Sequence, residues 1–270
     1  NLVPYACLTT DGDRNFGRGG GGAVLASKNI VAITVAGNEK TKLHDEELFA
    51  KRIKELDEAI DEAVKDENAT SSFRPTTGTT WWLNRAFKGE YLGDKGGYLP
   101  WHNYDEGHFD EKEFNKVSTD ALLEVSGKYK ICSRCRGIVC SRMVKTEKDE
   151  LLPRPEFETA GLFINCGITE RESLIALNHL CNEVGLDTMT TAAIVAGAMD
   201  MDEKGLLKSF AVSIPFGSTK AMAEIVEAVA YRNGGLGNLF AQNADAIGHT
   251  ILQEVGTAKK DEIIWCVTNA

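Results

Sequence analysis

Residues 169–205, TERESLIALNHLCNEVGLDTMTTAAIVAGAMDMDEKG, contain two helical patterns separated by the short break GLD. The first pattern has an apolar stripe at helical spacing, made of Leu174, Leu177, Cys181 and Val184. Thr169 and Glu172 have the spacing of a capping box, which predicts where this helix begins. The stretch therefore predicts a helix, a break and a second helix.

The second helix is predicted over residues 188–205, where Gly205 ends it. This segment is poor in large side chains along part of its length, at Ala193, Ala196, Gly197 and Ala198. Because so little bulk surrounds the backbone there, we expect a neighbouring element to pack very close to it.

Three further segments predict helices. Residues 45–66 repeat apolar side chains every three or four positions among charged ones, which predicts a solvated amphipathic helix. Residues 218–235 predict a helix that is N-capped by Ser218, and residues 238–248 predict a shorter one. Residues 67–107 are rich in turn residues and predict loops. Most of the chain is therefore expected to be helical.

The N-terminal part of the chain has a different character. FGRGGGGAVLA (16–26) contains four consecutive glycines, but the lysine and preceding strand of a P-loop are missing, so we interpret the run as a structural turn. NIVAITVAG (29–37) alternates apolar residues with period two, which predicts a β-strand. The expected fold is mainly α with a small N-terminal β portion, divided into domains at 1–40 and 41–270.

The composition argues against two classes of protein. The formal net charge of −10 is opposite to that of a general nucleic-acid-binding surface. No apolar run approaches the roughly 18 residues of a membrane span, and the N-terminus lacks the pattern of a signal peptide. Seven cysteines without an export signal favour metal ligation or free thiols over disulfides, so we expect a cytoplasmic protein.

KYKICSRCRGIVCSRMVK (128–145) contains a tight cysteine trio, Cys132, Cys135 and Cys140, spaced C-x2-C-x4-C. An iron–sulfur cluster commonly takes three cysteines from one loop and a fourth from a distant segment. Zinc sites more often use two separated C-x2-C pairs. The pattern therefore favours an iron–sulfur cluster, with zinc or unligated thiols as alternatives. The sequence context singles out no fourth ligand among the remaining cysteines, Cys7, Cys166, Cys181 and Cys266.

Six stretches occur in an order that is typical of one known family. They are NLVPYACLTTDGDRNFGRGGGGAVLASKNIVAITVAG (1–37), GYLPWHNYDEGHF (97–109), CSRCRGIVC (132–140), PEFET (155–159), CNEVGLDTMTT (181–191) and AVAYRNGGLGNLF (228–240). Together they resemble the tungsten-containing aldehyde:ferredoxin oxidoreductases. Four details depart from the family pattern, among them Gly21 where leucine is usual and an extra glycine in 228–240; the other two concern predicted site residues. One extra residue precedes Cys140, and Asn182 replaces the first aspartate of the family's D-x-x-G-L-D-T motif.

The resemblance implies a set of cofactor-binding residues. Cys132, Cys135 and Cys140 would ligate a [4Fe–4S] cluster, whose fourth ligand we expect beyond Ala270. A tungsten or molybdenum ion held by two pterins would lie beside the cluster, with magnesium between the pterin phosphates. The residues expected to border one pterin are Asn182, Gly185, Leu186, Asp187 and Thr188.

The resemblance also implies an activity. Glu158, in PEFET, matches the family's active-site glutamate and would serve as a general base or position a water. The expected reaction oxidises a small aldehyde to a carboxylic acid and passes electrons to ferredoxin or a similar one-electron carrier. A homodimer or larger complex is compatible with this, and no nucleic-acid or membrane partner is expected. The alternatives are a related tungsten-dependent reductase, such as a benzoyl-CoA reductase subunit, or a non-catalytic zinc or iron–sulfur electron-transfer module.

Members of the resembled family are longer than this chain. Residues 1–40 would then be the end of a β-rich base domain that binds pterin, and residues 41–270 a mainly helical domain that carries the cysteines and one pterin motif. Surfaces that face the pterins and the missing segments, notably around residues 182–200, are therefore expected to be exposed.

Overall fold

The computed structural model describes residues 2–10, 14–65, 77–89, 97–129, 142–146 and 149–268, and most of these residues are helical. The helices are α1 (Gly21–Ser27), α2 (Glu46–Lys65), α3 (Trp81–Lys88), α4 (Glu111–Val117), α5 (Thr119–Glu124), α6 (Phe157–Asn165), α7 (Arg171–Val184), α8 (Thr188–Glu203), α9 (Thr219–Tyr231), α10 (Gly234–Phe240), α11 (Ala244–Val255) and α12 (Lys260–Thr268). Within the described ranges no helix is long and apolar enough to cross a membrane. The mainly α class is confirmed.

The strands form two small antiparallel sheets. They are β1 (Leu8–Thr10), β2 (Arg14–Phe16), β3 (Ser126–Tyr129), β4 (Arg142–Lys145) and β5 (Leu151–Pro153). The first sheet pairs β1 with β2, and the second has the order β3-β4-β5. The small N-terminal β portion is therefore present as a hairpin-like pair that ends beside the helical core.

Helix α8 lies at the centre of that core. It packs against α6, α7, α9 and α12, and every residue of Thr191–Met201 is buried. The close approach expected from its small residues is confirmed, because a Cβ atom added at Gly197 would lie 2.5 Å from the carbonyl oxygen of Cys266 in α12.

The expectation of an exposed surface over residues 182–200 is wrong for 191–200. A helix that is apolar on all sides needs cover on all sides, and the four neighbouring helices supply it for α8. Partial exposure in this stretch is confined to residues 183–185 and 188–190, at the break between α7 and α8.

The close contact at Gly197 leads to a prediction for two glycine-to-alanine substitutions. They should change the free energy of unfolding in opposite directions. We expect Gly197→Ala to lower the free energy of unfolding by about 1–3 kcal/mol, since the new methyl group would push α12 away. The matched control is Gly235→Ala, in the first turn of α10, where nothing lies within 4 Å of an added Cβ. This control is expected to gain about 0.4–1 kcal/mol through lower unfolded-state entropy. Urea unfolding of both variants measures the difference, and equal effects would contradict the close packing.

The break between α7 and α8 is fixed by the N-terminal chain. Gly185 ends α7 in the left-handed conformation, with φ 71°. The amide of Cys7 donates a hydrogen bond to the Gly185 carbonyl at 2.7 Å, and the amide of Asp187 donates to the Tyr5 carbonyl at 3.0 Å. Residues 5–7 thus hold the GLD segment as a short antiparallel bridge.

The predicted capping box at the start of α7 is wrong. Glu170 is the N-cap residue and its side chain makes no capping hydrogen bond. The hydroxyl of Thr169 instead donates to Glu113 Oε2 at 2.9 Å, a tertiary contact that competes with the local one. The predicted N-cap of α9 is confirmed, since Ser218 Oγ accepts a hydrogen bond from the amide of Ala221 at 3.1 Å.

Two N-terminal expectations also need correction. The glycine-rich run is not only a turn, because helix α1 begins at Gly21 within it. The strand predicted over residues 29–37 is not formed, and Val31, Ile33 and Val35 are 99%, 69% and 88% exposed. A strand needs a hydrogen-bonding partner as well as an alternating pattern, and no described segment pairs with this one.

Of the two remaining helix predictions, one is confirmed and one is wrong. Helix α2 confirms the amphipathic helix predicted over 45–66. The short helix predicted over 238–248 is wrong, because α10 ends at Phe240. Asn243 then begins a new helix by accepting a hydrogen bond from the amide of Ala246 at 2.9 Å. The second helix, α11, continues to Val255.

Candidate functional site

A cavity of about 470 Å³ lies between β2, the start of α6 and the break between α7 and α8. It brings together most of the residues predicted from the sequence, namely Glu158, Asn182, Leu186, Asp187 and Thr188. Gly185 lies outside this cavity, and a Cβ atom there would approach Thr9 Oγ1 to 3.4 Å. Gly185 therefore serves the backbone turn, while its neighbours form the cavity wall.

Asp187 is the N-cap residue of α8. Its Oδ2 atom accepts hydrogen bonds from the Thr190 amide at 2.9 Å and from the Thr190 hydroxyl at 2.5 Å. The guanidinium of Arg18 lies 3.5 Å from the same oxygen. The buried carboxylate thus shapes the start of α8 and also orients a cation at the cavity.

Asn182 belongs to a chain of amides across one wall of the cavity. Its Nδ2 atom donates to the carbonyl of Asn178 at 2.8 Å, and Asn178 Nδ2 donates to the carbonyl of Pro153 at 2.9 Å. Its Oδ1 atom accepts a hydrogen bond from Asn15 Nδ2 in β2. An aspartate at position 182 could not donate this hydrogen bond to the Asn178 carbonyl. This wall of the cavity therefore depends on Asn182, which replaces the aspartate of the resembled motif.

Glu158 lies in the first turn of α6 and is exposed at the cavity. The next residue, Thr159, places its hydroxyl oxygen 2.7 Å from that of Thr188, the first residue of α8. This contact joins the N-terminal ends of the two helices. Glu158 in α6 and the predicted pterin segment at the start of α8 are consequently held in fixed positions relative to each other.

Three arginines at the cavity, Arg14, Arg18 and Arg154, were not singled out from the sequence. Arg14, in β2, lies 3.5 Å from Glu156, and Arg18 lies 3.5 Å from Asp187. Arg14 and Arg18 belong to DRNFGRG (13–19), which overlaps the glycine run interpreted from the sequence as a structural turn. The available signal was two arginines, Arg14 and Arg18, four positions apart beside a glycine run. The cavity therefore carries cations that could complement an anionic group.

The four described cysteines are buried, and burial favours the neutral thiol in each of them. Burial, with a smaller contribution from Asp187, raises the pKa of Cys7 to about 11 and that of Cys181 to about 12. Burial likewise raises the pKa of Cys166 and Cys266. Among the described residues there is no group of three or more side chains suited to a metal. The predicted ligands Cys132, Cys135 and Cys140 lie outside the described residues.

Comparison with known families decides the relationship of the chain. Residues 55–260 match the family model for aldehyde ferredoxin oxidoreductase domains 2 and 3, and residues 1–37 match the model for its N-terminal domain. The chain belongs to the aldehyde ferredoxin oxidoreductase family.

Individual members of the aldehyde ferredoxin oxidoreductase family match along most of the chain. A tungsten-containing aldehyde ferredoxin oxidoreductase of Pyrococcus furiosus is 30% identical over 97% of this chain and 42% of its own length. A protein of the same name from Thermococcus kodakarensis is 32% identical over 92% of this chain and 40% of its own length. The chain thus spans well under half the length of these relatives.

A solved structure has the same fold. The active-site complex of benzoyl-coenzyme A reductase, bound to 1,5-dienoyl-CoA, superposes with a TM-score of 0.73. The match covers 97% of this chain and 39% of that one at 17% sequence identity. This chain therefore shares its fold with part of a protein of a different name.

Proposed function

We propose that this chain forms the part of a tungsten–pterin iron–sulfur oxidoreductase that borders one pterin, and that the whole protein oxidises aldehydes to carboxylic acids. The observation that carries the proposal is the convergence of Glu158 with Asn182, Asp187 and Thr188 on one cavity. These residues were selected from two separate stretches of sequence. Their meeting supports a shared role around one ligand.

The side chains of the cavity fit a pterin with its phosphate. The amides of Asn15 and Asn182 offer donors and acceptors of the kind that a polar heterocycle needs. Arg14 and Arg18 would complement the phosphate. The donor set therefore supports pterin binding on the basis of its chemistry.

Glu158 would handle protons in the reaction. Oxidation of an aldehyde takes one oxygen atom from water and releases two protons and two electrons. An exposed carboxylate at the start of α6 could accept a proton from that water, or hold the water by a hydrogen bond. When bound, the tungsten–pterin group would supply the acceptor for the electron pair. The chain's own contribution is to position the water and remove its proton.

The cysteine trio would complete the electron path. Cys132, Cys135 and Cys140 are proposed to hold an iron–sulfur cluster that passes electrons singly to ferredoxin or a similar carrier. The four described cysteines are buried, and among the described residues they belong to no group of three or more metal-ligating side chains, so none of them is proposed as the fourth ligand.

A second candidate is reductive chemistry on an aromatic coenzyme A thioester. The observation that favours it is the shared fold with the benzoyl-coenzyme A reductase complex over 97% of this chain. Because fold similarity at this identity does not determine the substrate, the two activities must be separated by assay.

The test is an anaerobic assay of the complete protein with a one-electron acceptor such as ferredoxin or a viologen dye. We expect aldehydes to reduce the acceptor, with two electrons transferred for each carboxylate formed. Oxidation of a cyclic dienoyl-CoA without turnover of any aldehyde would favour the second candidate. Absence of both activities in protein that retains its metals would contradict the proposal.

A further inference from the structure

Arg154 differs from the other two arginines at the cavity in its burial. It directly follows β5, lines the cavity and is 1% exposed. The side chains of Arg14 and Arg18 are 32% and 65% exposed. Water and salt screen an exposed charge, whereas a charge in the protein interior acts with less screening. Of these three arginines, Arg154 therefore carries the positive charge that is screened least.

The guanidinium of Arg154 is held at two points. Its Nη2 atom donates to the carbonyl of Thr77 at 2.6 Å, and its Nη1 atom donates to Ser126 Oγ at 3.2 Å. Ser126 Oγ in turn donates to the carbonyl of Leu122 at 2.6 Å. A guanidinium stays protonated throughout the physiological pH range. The position therefore carries a fixed positive charge that does not titrate.

This side chain reaches from the cavity to the sheet β3-β4-β5. Ser126 is the first residue of β3, and the chain runs from β3 into the segment that contains Cys132. On the cavity side, the carbonyl of Pro153 accepts a hydrogen bond from Asn178 Nδ2 at 2.9 Å. Arg154 thus connects the proposed pterin cavity with the strand that precedes the proposed cluster cysteines.

A fixed cation changes the energy of electron uptake nearby. A redox group that accepts an electron becomes more negative by one charge, and a shielded cation stabilises that charge more than an exposed one does. Replacing the cation by a neutral side chain therefore lowers the reduction potential of the group. Aldehyde oxidation delivers electrons to the group in the cavity, so a higher potential favours the proposed direction of the reaction.

We propose that Arg154 raises the reduction potential of the metal–pterin group in the cavity, through its buried charge and without touching that group. The proposal rests on the proposed function, because it requires an electron-accepting group in this cavity. It assigns to the arginine before the PEFET segment a role that is separate from the proton handling of Glu158.

The experiment is a redox titration of the complete protein, purified anaerobically, in which EPR spectroscopy follows the pentavalent metal. Dithionite supplies the single electron through mediator dyes. At a fixed potential, Arg154→Met and Arg154→Gln are each expected to shift the ratio of reduced to oxidised metal about tenfold toward the oxidised form. For one electron this is a midpoint about 59 mV lower. Arg154→Lys keeps the charge and should change the ratio by less than about twofold.

Ser126→Ala is the matched control, because it removes the hydroxyl that binds the guanidinium and leaves the charge in place. It should lower the melting temperature by about 2–4 °C without moving the midpoint. If neither neutral variant folds, Ser126→Asp decides. It keeps Arg154 but places a carboxylate beside the guanidinium, so the midpoint should fall as in Arg154→Met.

The outcomes separate this proposal from the proposed function. Metal and pterin absent from the unchanged protein would defeat the proposed function itself. Metal present, with the same midpoint in the unchanged protein and in the neutral variants at position 154, would overturn the role of Arg154 alone. An equal fall in Arg154→Lys or in Ser126→Ala would also overturn it, since the effect would then be structural and not due to charge.

Discussion

Glu158→Gln is expected to reduce the rate of aldehyde oxidation by about 10²–10⁴-fold while the protein keeps its tungsten and pterin. The substitution preserves the size of the side chain and its place in the first turn of α6. It removes the ability to accept a proton from water. Steady-state kinetics with a viologen acceptor, together with metal analysis of the same preparation, measure this outcome.

Glu156→Gln supplies the control for that prediction. Glu156 lines the same cavity but lies 3.5 Å from Arg14, so its charge is engaged with a neighbouring cation. We expect its removal to change the rate by less than about tenfold, as for a partly exposed ion pair. A large loss at position 156 with none at position 158 would mean that the catalytic carboxylate has been assigned to the wrong residue.

Cys132→Ser, Cys135→Ser and Cys140→Ser are each expected to remove most of the iron from the complete protein, from about four atoms per chain to nearly none. Serine oxygen is a poor replacement for a thiolate at iron, and one missing ligand leaves a cluster corner open. Iron analysis and the broad visible absorption of the cluster report the loss, and aldehyde oxidation should fall with them.

Cys181→Ala is the matched control for the cysteine trio. Its thiol is fully buried on α7, and burial raises its pKa to about 12, so it stays protonated. We expect full iron content and a modest loss of stability, of about 1–2 kcal/mol, from the small cavity. Iron loss at Cys181 that matches the loss at Cys132 would show that the buried thiol is also a ligand.

The sequence predicts the centre of this fold well because local and tertiary signals agree there. The apolar stripe of α7, the left-handed Gly185 and the small residues of α8 all favour the helix–break–helix unit that the structure contains. The capping box fails because the Thr169 hydroxyl bonds Glu113, which is 56 residues away in the chain. Such a competing contact cannot be read from residue spacing.

The candidate site was predictable only where side chains belong to a recognisable motif. Glu158 and the residues around Asp187 were selected from the sequence, and they meet in the cavity. Arg14, Asn15 and Arg18 reach it because β1 and β2 pair and residues 5–7 bridge to the GLD segment. Those pairings are long-range, so residue patterns do not predict which side chains of β2 reach the cavity, although the family resemblance assigns both segments to pterin binding.

The most direct test of the account is metal and pterin analysis of the complete protein after anaerobic purification. We predict tungsten or molybdenum together with pterin and about four irons per chain. Zinc alone, with no pterin and no broad visible absorption, would contradict it.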